Sequence, residues 1–253
     1  MAHLIALVLL ASAEWTTFLN WYKTYSGPVM PPDVMKAYAA VLSGQGKSNA
    51  EVKATLGSLQ KTFATAPRDM LTLHFNKVYT EHADLFSAAP NAFVVRMTKG
   101  MKPGAALDVA MGQGRNSVYL AQQGWDVTGY DLSDQGLAMA RAAAERAGVR
   151  IRAVESTHQD FDFGHERWDL IVMTYSFVNM QDAQFLGRVR DSLRPGGVIV
   201  LEQMNSGGTG KGPANALLHS FEGLRVLHYE DAVDIAEWSH QPARLGRIAV
   251  QKE

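Results

Sequence analysis

The chain has 253 residues, 47% of them hydrophobic and 19% charged, a balance typical of a globular protein with room for one large domain and an appendage. Its 24 Lys and Arg residues nearly cancel its 25 Asp and Glu residues and leave a net charge of −1, so nucleic acid is disfavoured as a partner. The lack of cysteine excludes disulfides, thiolate metal ligands and a cysteine nucleophile, and it fits either redox compartment.

The chain begins with an apolar run from Leu4 to Leu10, followed by Ala11-Ser-Ala13. The small-x-small pattern fits the cleavage site of a secretory signal peptide, but the basic residues that usually precede the apolar run are missing. The alternative is an apolar helix that packs on its own domain. Because the run is too short to span a bilayer as a helix, we predict no stable membrane span. Residues 1–13 are therefore a signal-like or apolar segment.

The pattern of residues 14–69 predicts a helical extension in which proline and glycine separate short helices. The expected helices are Trp15–Tyr25, Asp33–Leu42 and Asn49–Thr65. Ser48 and Glu51 have the spacing of an N-terminal capping box. The extension has no catalytic pattern.

From Ala105 onward, short apolar β-type runs alternate with helical patterns, which predicts a parallel sheet wound with helices. The expected strands are Ala105–Val109, Asp126–Tyr130, Arg150–Val154, Trp168–Thr174, Gly197–Met204, Leu224–Tyr229 and Arg244–Gln251. The expected helices of this domain are Asp69–Tyr79, Asn91–Lys99, Asn116–Gln123, Ser133–Ala147, Asp182–Leu193 and Asn215–Phe221. We therefore predict an α/β fold with a doubly wound, mostly parallel seven-stranded sheet behind an N-terminal helical extension.

A glycine-rich turn joins the first predicted strand to the next helix. Gly112 and Gly114 occupy this turn, where backbone can approach a ligand closely and the helix N-terminus offers unpaired N–H groups. Asp131 ends the second strand, where a carboxylate can accept hydrogen bonds from both hydroxyls of a ribose. Together these residues predict a nucleoside site, although a Gly-x-Gly turn alone serves NAD equally well.

Three features favour a different nucleoside over NAD. Ser117 stands where a dinucleotide fingerprint has its third glycine. Asp108 lies in the first strand, where a carboxylate suits a cationic amino group better than a pyrophosphate. Asp160 and Phe161, after the third strand, offer an acceptor for an adenine amino group and an apolar neighbour for its face. A sulfonium nucleoside with an amino-acid tail fits all three features.

Four segments resemble the successive motifs of class I S-adenosylmethionine-dependent methyltransferases. They are Ala106–Ser117, Gly124–Ser133, Trp168–Val172 and Leu193–Gly197. Gly114-Arg-Asn116 and the earlier Asn91-Ala-Phe-Val-Val95 are similar to the small-molecule group that includes tellurite-resistance methyltransferases. The resemblance covers residues 70–253, which makes this stretch the predicted methyltransferase domain.

The resemblance implies S-adenosylmethionine as the cofactor, S-adenosylhomocysteine as its product, and a role for each motif residue. Asp108 and Gly112 would lie near the methionine moiety, Asp131 on the ribose, Leu132 against the adenine, and Asp160 with Phe161 at the adenine edge. Gly114 completes the turn. Arg115 either reaches the ligand carboxylate or is a cation on the helix surface.

The chain departs from the family pattern at two positions of the turn. Ala110 stands where the family usually has glycine, and Met111 stands where a small residue is common. We expect the pair to leave the ligand less room and to affect cofactor affinity more than cofactor identity.

The expected reaction is an in-line displacement that transfers a methyl group to a small-molecule acceptor and depends mainly on alignment. A general base is optional, because a thiolate, a halide or a reduced oxyanion needs none. We predict that Tyr79 and Tyr175 line the acceptor pocket. His82, His219 and His228 show no triad or metal-ligand spacing, so we predict neither a metal site nor a specific catalytic residue.

The glycine-rich loop Asn205–Pro213 follows the fifth strand and is predicted to be a lid. Two other functions remain open from the sequence: a cofactor-binding protein without transferase activity, and an NAD(P)-dependent oxidoreductase. A cytoplasmic location is preferred to export because S-adenosylmethionine is made in the cytoplasm.

Overall fold

The structure, a computed structural model, describes residues 2–29, 31–64, 68–82, 87–205, 215–237 and 240–253, without the side chains of residues 2–12, 31, 63, 64 and 69. The chain forms two compact units, Met1–Glu81 and His82–Glu253. The sequence-based division at residues 69 and 70 assigns the fourth helix to the second unit, whereas the compact units assign it to the first.

The first unit is helical in its described residues. Its helices are α1 (Ala2–Thr24), α2 (Pro31–Gly44), α3 (Asn49–Ala64) and α4 (Arg68–Glu81). Helix α1 therefore includes the apolar run that precedes the predicted start at Trp15. Buried aromatic residues on α1 and α2, including Phe18, Tyr22 and Tyr38, form the centre of this unit together with Leu59. No described helix is long and apolar enough to cross a membrane.

The second unit is an α/β sandwich. Its helices are α5 (Ala92–Thr98), α6 (Arg115–Gln122), α7 (Asp134–Arg146), α8 (Ala183–Ser192) and α9 (Ala216–Ser220). Its strands are β1 (Ala105–Val109), β2 (Asp126–Asp131), β3 (Arg152–Glu155), β4 (Trp168–Thr174), β5 (Leu193–Met204), β6 (Arg225–Ile235) and β7 (Pro242–Gln251).

Within the described residues, the seven strands form one sheet in the order β3-β2-β1-β4-β5-β7-β6. Strands β1 to β5 pair in parallel, and β7 pairs antiparallel with both β5 and β6. The predicted α/β fold with a mostly parallel seven-stranded sheet is confirmed.

Both faces of the central strands are buried, which explains their nearly continuous apolar sequences. Leu107 and Val109 pack into a core on one face. Ala106 on β1 and Leu170 on β4 pack into a second core on the other face. Helices therefore cover both sides of the sheet, and ligand-accessible positions are left at the carboxyl ends of the strands.

Strands β5 and β6 extend furthest beyond the bounds that their sequence patterns predict. Strand β5 begins at Leu193 instead of Gly197, because Leu193 already pairs with Trp168 before the register shifts. Strand β6 continues to Ile235, beyond its expected end at Tyr229. Its last residues are partly or fully exposed, but they pair with residues 242–247 of β7.

Candidate cofactor site

The candidate site lies where β1 and β2 end side by side. The two strands pair in parallel, with Val109 opposite Tyr130, so the turn after β1 and the carboxylate after β2 meet at the same edge of the sheet. The sequence separates these elements, and the parallel pairing brings them together.

Backbone hydrogen bonds fix the shape of the turn between β1 and α6. The Met111 amide donates to the Tyr130 carbonyl at 2.9 Å, and the Gly114 amide donates to the Met111 carbonyl at 2.8 Å. Gly114 adopts φ +79°, and a Cβ atom there would lie 2.7 Å from Cβ of Ala140 on α7. Glycine is therefore required at position 114 both by the backbone conformation and by the close approach of α7.

Asp131 ties the two strand ends together. Its Oδ2 accepts from the Gly112 amide at 2.9 Å, and its Oδ1 accepts from the Ser133 amide at 2.8 Å. The carboxylate is buried, and this burial raises its pKa, while the amides of Ser133, Gly112 and Leu132 act in the opposite direction. Because an ionised carboxylate has about four acceptor positions, it can also receive hydroxyl groups from a ligand.

Asp108 lies behind the turn and is only 2% exposed. The Ser117 hydroxyl, in the first turn of α6, donates to its Oδ2 at 2.7 Å. Burial raises the pKa of Asp108 to about 6, although the bond from Ser117 and the charge of Arg115 oppose the change. The serine that replaces the third fingerprint glycine thus links strand β1 to helix α6.

The two departures from the family pattern have different consequences. Ala110 adopts φ +54°, a left-handed conformation that strains a residue with a Cβ atom. The Met111 side chain is 5% exposed and packs against Leu137 and Ala140 in a small core. It also fills the space above Gly129, where an added Cβ would lie 2.4 Å from the methionine sulfur. Met111 therefore takes up core volume, contrary to the expectation that it narrows the space for a ligand.

The expected adenine-side residues are spread over the ends of β2 and β3. Leu132 is half-buried, and Asp160 is exposed with its carboxylate accepting from the Thr157 hydroxyl at 2.9 Å. Phe161 is buried and stacks on Tyr130, with ring centroids 4.2 Å apart and an interplanar angle of 17°. The structure thus places Phe161 in the core, while Asp160 and Leu132 remain partly accessible.

Arg115 begins helix α6 and binds other parts of the second unit. Its Nη1 donates to the Ala89 carbonyl at 3.1 Å and to Oε2 of Glu237 at 2.7 Å. Gln113 and Asn116, on either side of Arg115, also bind residues 87–91. Gln113 donates to the Ser87 carbonyl, and Asn116 accepts from the Asn91 amide. Within the described residues, Arg115 is paired with the carboxylate of Glu237, so it is not a free cation on the helix surface.

A buried polar network lies beside this site, at the ends of β4 and β5. The Tyr175 hydroxyl donates to Glu202 at 2.8 Å, Asn91 donates to the same carboxylate oxygen at 2.7 Å, and Arg247 pairs with the other oxygen. Burial, followed by the charge of Glu202, raises the pKa of Tyr175 above its usual range. Tyr175 is therefore a neutral hydrogen-bond donor at physiological pH.

The other predicted acceptor-side residues are dispersed. Tyr79 is buried in α4 of the first unit, and its place beside an acceptor stays a prediction. His219 pairs with Glu222 on α9, and His228 contacts Arg96. His82 is the first residue of the second unit. Residues 206–213 of the predicted lid lie outside the described residues.

Residues 106–197 match a family described as a methyltransferase domain, and this stretch contains β1, the turn, Asp131 and β4. Within residues 106–197 the chain is similar to class I S-adenosylmethionine-dependent methyltransferases, and its seven-stranded sheet has the fold of that class. S-adenosylmethionine is the methyl donor of that class, and the glycine turn and the strand-end carboxylate of this chain suit such a nucleoside.

Two curated proteins are similar to part of this chain. A ubiquinone biosynthesis O-methyltransferase of Paramagnetospirillum magneticum is 36% identical over 100 residues, which cover 39% of this chain and 40% of the relative. A probable S-adenosyl-L-methionine-dependent methyltransferase of Haemophilus influenzae, TehB, is 32% identical over 119 residues, or 44% of this chain and 38% of the relative. The chain spans less than half the length of these curated relatives.

The crystal structure of TehB from Haemophilus influenzae shares the fold of this chain. It superposes with a TM-score of 0.58 at 19% identity, over 71% of this chain and 67% of that chain.

The sequence interpretation missed several polar residues near this site. Glu202 directly follows an apolar run in β5. A charged residue in a strand predicted to be buried is a signal that could have identified it. Asn91 caps α5 and joins the same network. Glu237 has no such signal, because its position follows from the long β6–β7 hairpin.

Proposed function

We propose that this methyltransferase transfers the methyl group of S-adenosylmethionine to a small-molecule acceptor by in-line displacement. The main support is the Asp131 carboxylate, held by amides from both the glycine turn and the start of α7. When bound, S-adenosylmethionine supplies an activated methyl group on a sulfonium. The task of the protein is then mainly to bind, orient and exclude water.

The residues of the turn fit this ligand in different ways. We assign Asp131 to the ribose, the Gly112 to Gly114 backbone to the closest approach, and Asp108 to electrostatic support of the cationic end. Leu132 and Asp160 are assigned to the adenine side, where both retain exposed surface. Ala110 shapes the turn through its backbone, and Phe161 supports the site from the core.

The loop after β4 supports an acceptor position at this edge of the sheet. Tyr175 has φ +50° and Phe177 has φ +54°, and backbone strain of this kind is common at ligand-binding sites. The Phe177 ring is 67% exposed. Because the Tyr175 hydroxyl is bonded to Glu202 and has a raised pKa, we assign it to lining the pocket, with no role as a base.

Titration calorimetry on the full chain tests the cofactor assignment. Asp131→Ala removes two charge-assisted hydrogen bonds to the ribose, each contributing about 1.5–3 kcal/mol, so affinity for S-adenosylhomocysteine should fall by roughly 100-fold or more. Asp126→Ala is the matched control, because Asp126 lies at the opposite end of β2 and is exposed. Unchanged affinity in Asp131→Ala, or binding of NAD(H) instead, contradicts the assignment.

Turnover distinguishes an enzyme from a protein that only binds the cofactor. The acceptors to test are a thiol, a halide, a reduced chalcogen oxyanion and a small phenol, the last because one relative is named as an O-methyltransferase. Formation of S-adenosylhomocysteine that depends on one acceptor supports the proposal. Tight cofactor binding with no turnover on any of them supports the binding-protein alternative.

A further inference from the structure

Glu237 lies in the turn of the β6–β7 hairpin and connects three other parts of the second unit. Its Oε2 accepts from Arg115 Nη1 at 2.7 Å and from Asn91 Nδ2 at 2.9 Å, and its Oε1 accepts from the Ala92 amide at 3.0 Å. Its own amide donates to the Tyr175 hydroxyl at 3.3 Å. One hairpin residue thus contacts helix α6, the start of α5 and the loop after β4.

Glu237 binds one nitrogen of the Arg115 guanidinium, Nη1, and does not bind the other two. Both hydrogen bonds that Arg115 makes within the described residues use Nη1. A guanidinium has five N–H donors, so those on Nη2 and Nε are not consumed by these bonds. The Arg115 side chain is 13% exposed, so few rotamers are available to it. Its hydrogen bonds to Glu237 and to the Ala89 carbonyl therefore fix its orientation.

Arg115 directly follows Gly114 and therefore extends from the end of the turn opposite to the Asp131 contact at Gly112. Asp131 holds the ribose side of the turn in the proposed function. A cation at the other end suits the anionic end of the amino-acid tail of the ligand. Of the two ends of the glycine turn, Glu237 contacts the one at Arg115, and its described contacts do not include the other.

We infer that Glu237 is a positioning residue that orients Arg115 toward the carboxylate of the ligand's amino-acid tail. This inference rests on the proposed cofactor site. It also predicts that the hairpin contributes to recognition of the tail, whereas the nucleoside part of the ligand is recognised independently of the hairpin.

Two ligands separate orientation of Arg115 from general loosening of the site. S-adenosylhomocysteine has the amino-acid tail, and 5′-deoxy-5′-methylthioadenosine has the same nucleoside without it. In Glu237→Gln, we expect the affinity for S-adenosylhomocysteine to fall about 3- to 30-fold, with the affinity for methylthioadenosine within about twofold of wild type. Titration calorimetry of the full chain measures both.

The control is Asp231→Asn on the same hairpin. Asp231 accepts two hydrogen bonds from Arg244, and none of its described contacts involves the glycine turn. The affinities for S-adenosylhomocysteine and for methylthioadenosine should therefore both stay at the wild-type value. Arg115→Gln provides a second route that leaves Glu237 intact. It should reproduce the selective loss, and adding Glu237→Gln to it should cause little further change.

The outcomes distinguish the inference from the proposed function. An equal loss of both ligands in Glu237→Gln, or no loss of either, overturns the positioning role. Additive losses in the double variant overturn the route through Arg115. Failure of the wild-type protein to bind either ligand instead contradicts the cofactor site.

Discussion

Ala110 is the residue at which sequence and backbone conformation conflict most directly. A left-handed conformation costs a residue with a Cβ atom roughly 1–2 kcal/mol, and Ala110 has φ +54° within the turn next to the proposed ligand. The hydrogen bonds of Met111 and Gly114 on its C-terminal side hold that conformation in place.

We predict that Ala110→Gly stabilises the second unit. Relief of the left-handed strain is partly offset by the greater backbone entropy of glycine in the unfolded chain, about 0.5–1 kcal/mol. The free energy of unfolding should rise by on the order of 0.5–1 kcal/mol, measured by urea denaturation. Ala106→Gly in strand β1 is the control and should destabilise, because it removes a buried methyl group from extended backbone. A loss of stability in Ala110→Gly would show that the strain is absent.

The sequence predicted the residues of the glycine turn and Asp131 because their spacing follows from the parallel strand pair. The packing of Met111 in the core was not predicted. Its position in the sequence lies between ligand-side residues, but the turn directs its side chain toward α7. A side-chain direction of this kind depends on backbone dihedral angles, which the order of residues does not reveal.

Among the elements, helix α3 has the clearest local signal for its start. The Ser48 amide and hydroxyl both donate to Oε2 of Glu51, at 2.8 and 2.6 Å, and the Glu51 amide donates back to the Ser48 hydroxyl at 3.4 Å. The hydrogen bonds from Ser48 lower the pKa of Glu51. The predicted capping box is present.

We predict that Ser48→Ala lowers the free energy of unfolding of the first unit by about 1 kcal/mol, the usual loss for an N-cap residue. Urea denaturation followed by circular dichroism measures the change. Ser43→Ala is the matched control, because Ser43 is an exposed helical serine on α2. Equal stability of both variants would mean that the box contributes nothing.

The bounds of the elements were predictable where the local pattern decides them, as in β1 and β4, whose ends match the sequence prediction. The long β6 was not, because its exposed half is held by pairing with β7 and not by an apolar pattern of its own. Glu237 was missed for the same reason. When the pairing of distant strands positions a residue at a site, the local spacing of the sequence does not predict it.

At the scale of the whole molecule, each unit has its own core, and the first unit contains a buried histidine that makes its stability depend on pH. In the first unit, the Tyr22 hydroxyl is hydrogen-bonded to Nδ1 of His74 at 2.8 Å. Burial lowers the pKa of His74 to about 4. Between pH 4 and the usual histidine pKa of about 6.5, the unfolded chain binds more protons, so the stability of the first unit falls as the pH decreases.

We predict that lowering the pH from 7 to 5 destabilises the first unit by about 1–2 kcal/mol through His74. His74→Gln keeps a hydrogen-bond acceptor near Tyr22 but cannot take up the proton, so this part of the pH dependence should disappear. Urea denaturation at both pH values measures the difference between variant and wild type. The same pH dependence in His74→Gln would assign it to other groups.

Two separate cores also predict two unfolding transitions. Ser48→Ala and the acid shift should move one of them. Asp182→Ala, which removes the cap of α8, should move the other. A single transition displaced by all three changes would mean that the units unfold together.

The Met111 side chain fills the space that a side chain at position 129 would need, because a Cβ atom on Gly129 would lie 2.4 Å from the Met111 sulfur. Any side chain at position 129 therefore requires a shorter residue at position 111, and a long residue at 111 restricts 129 to glycine. Across related chains, the two positions should vary as a pair, although one lies in the turn and the other in the middle of β2.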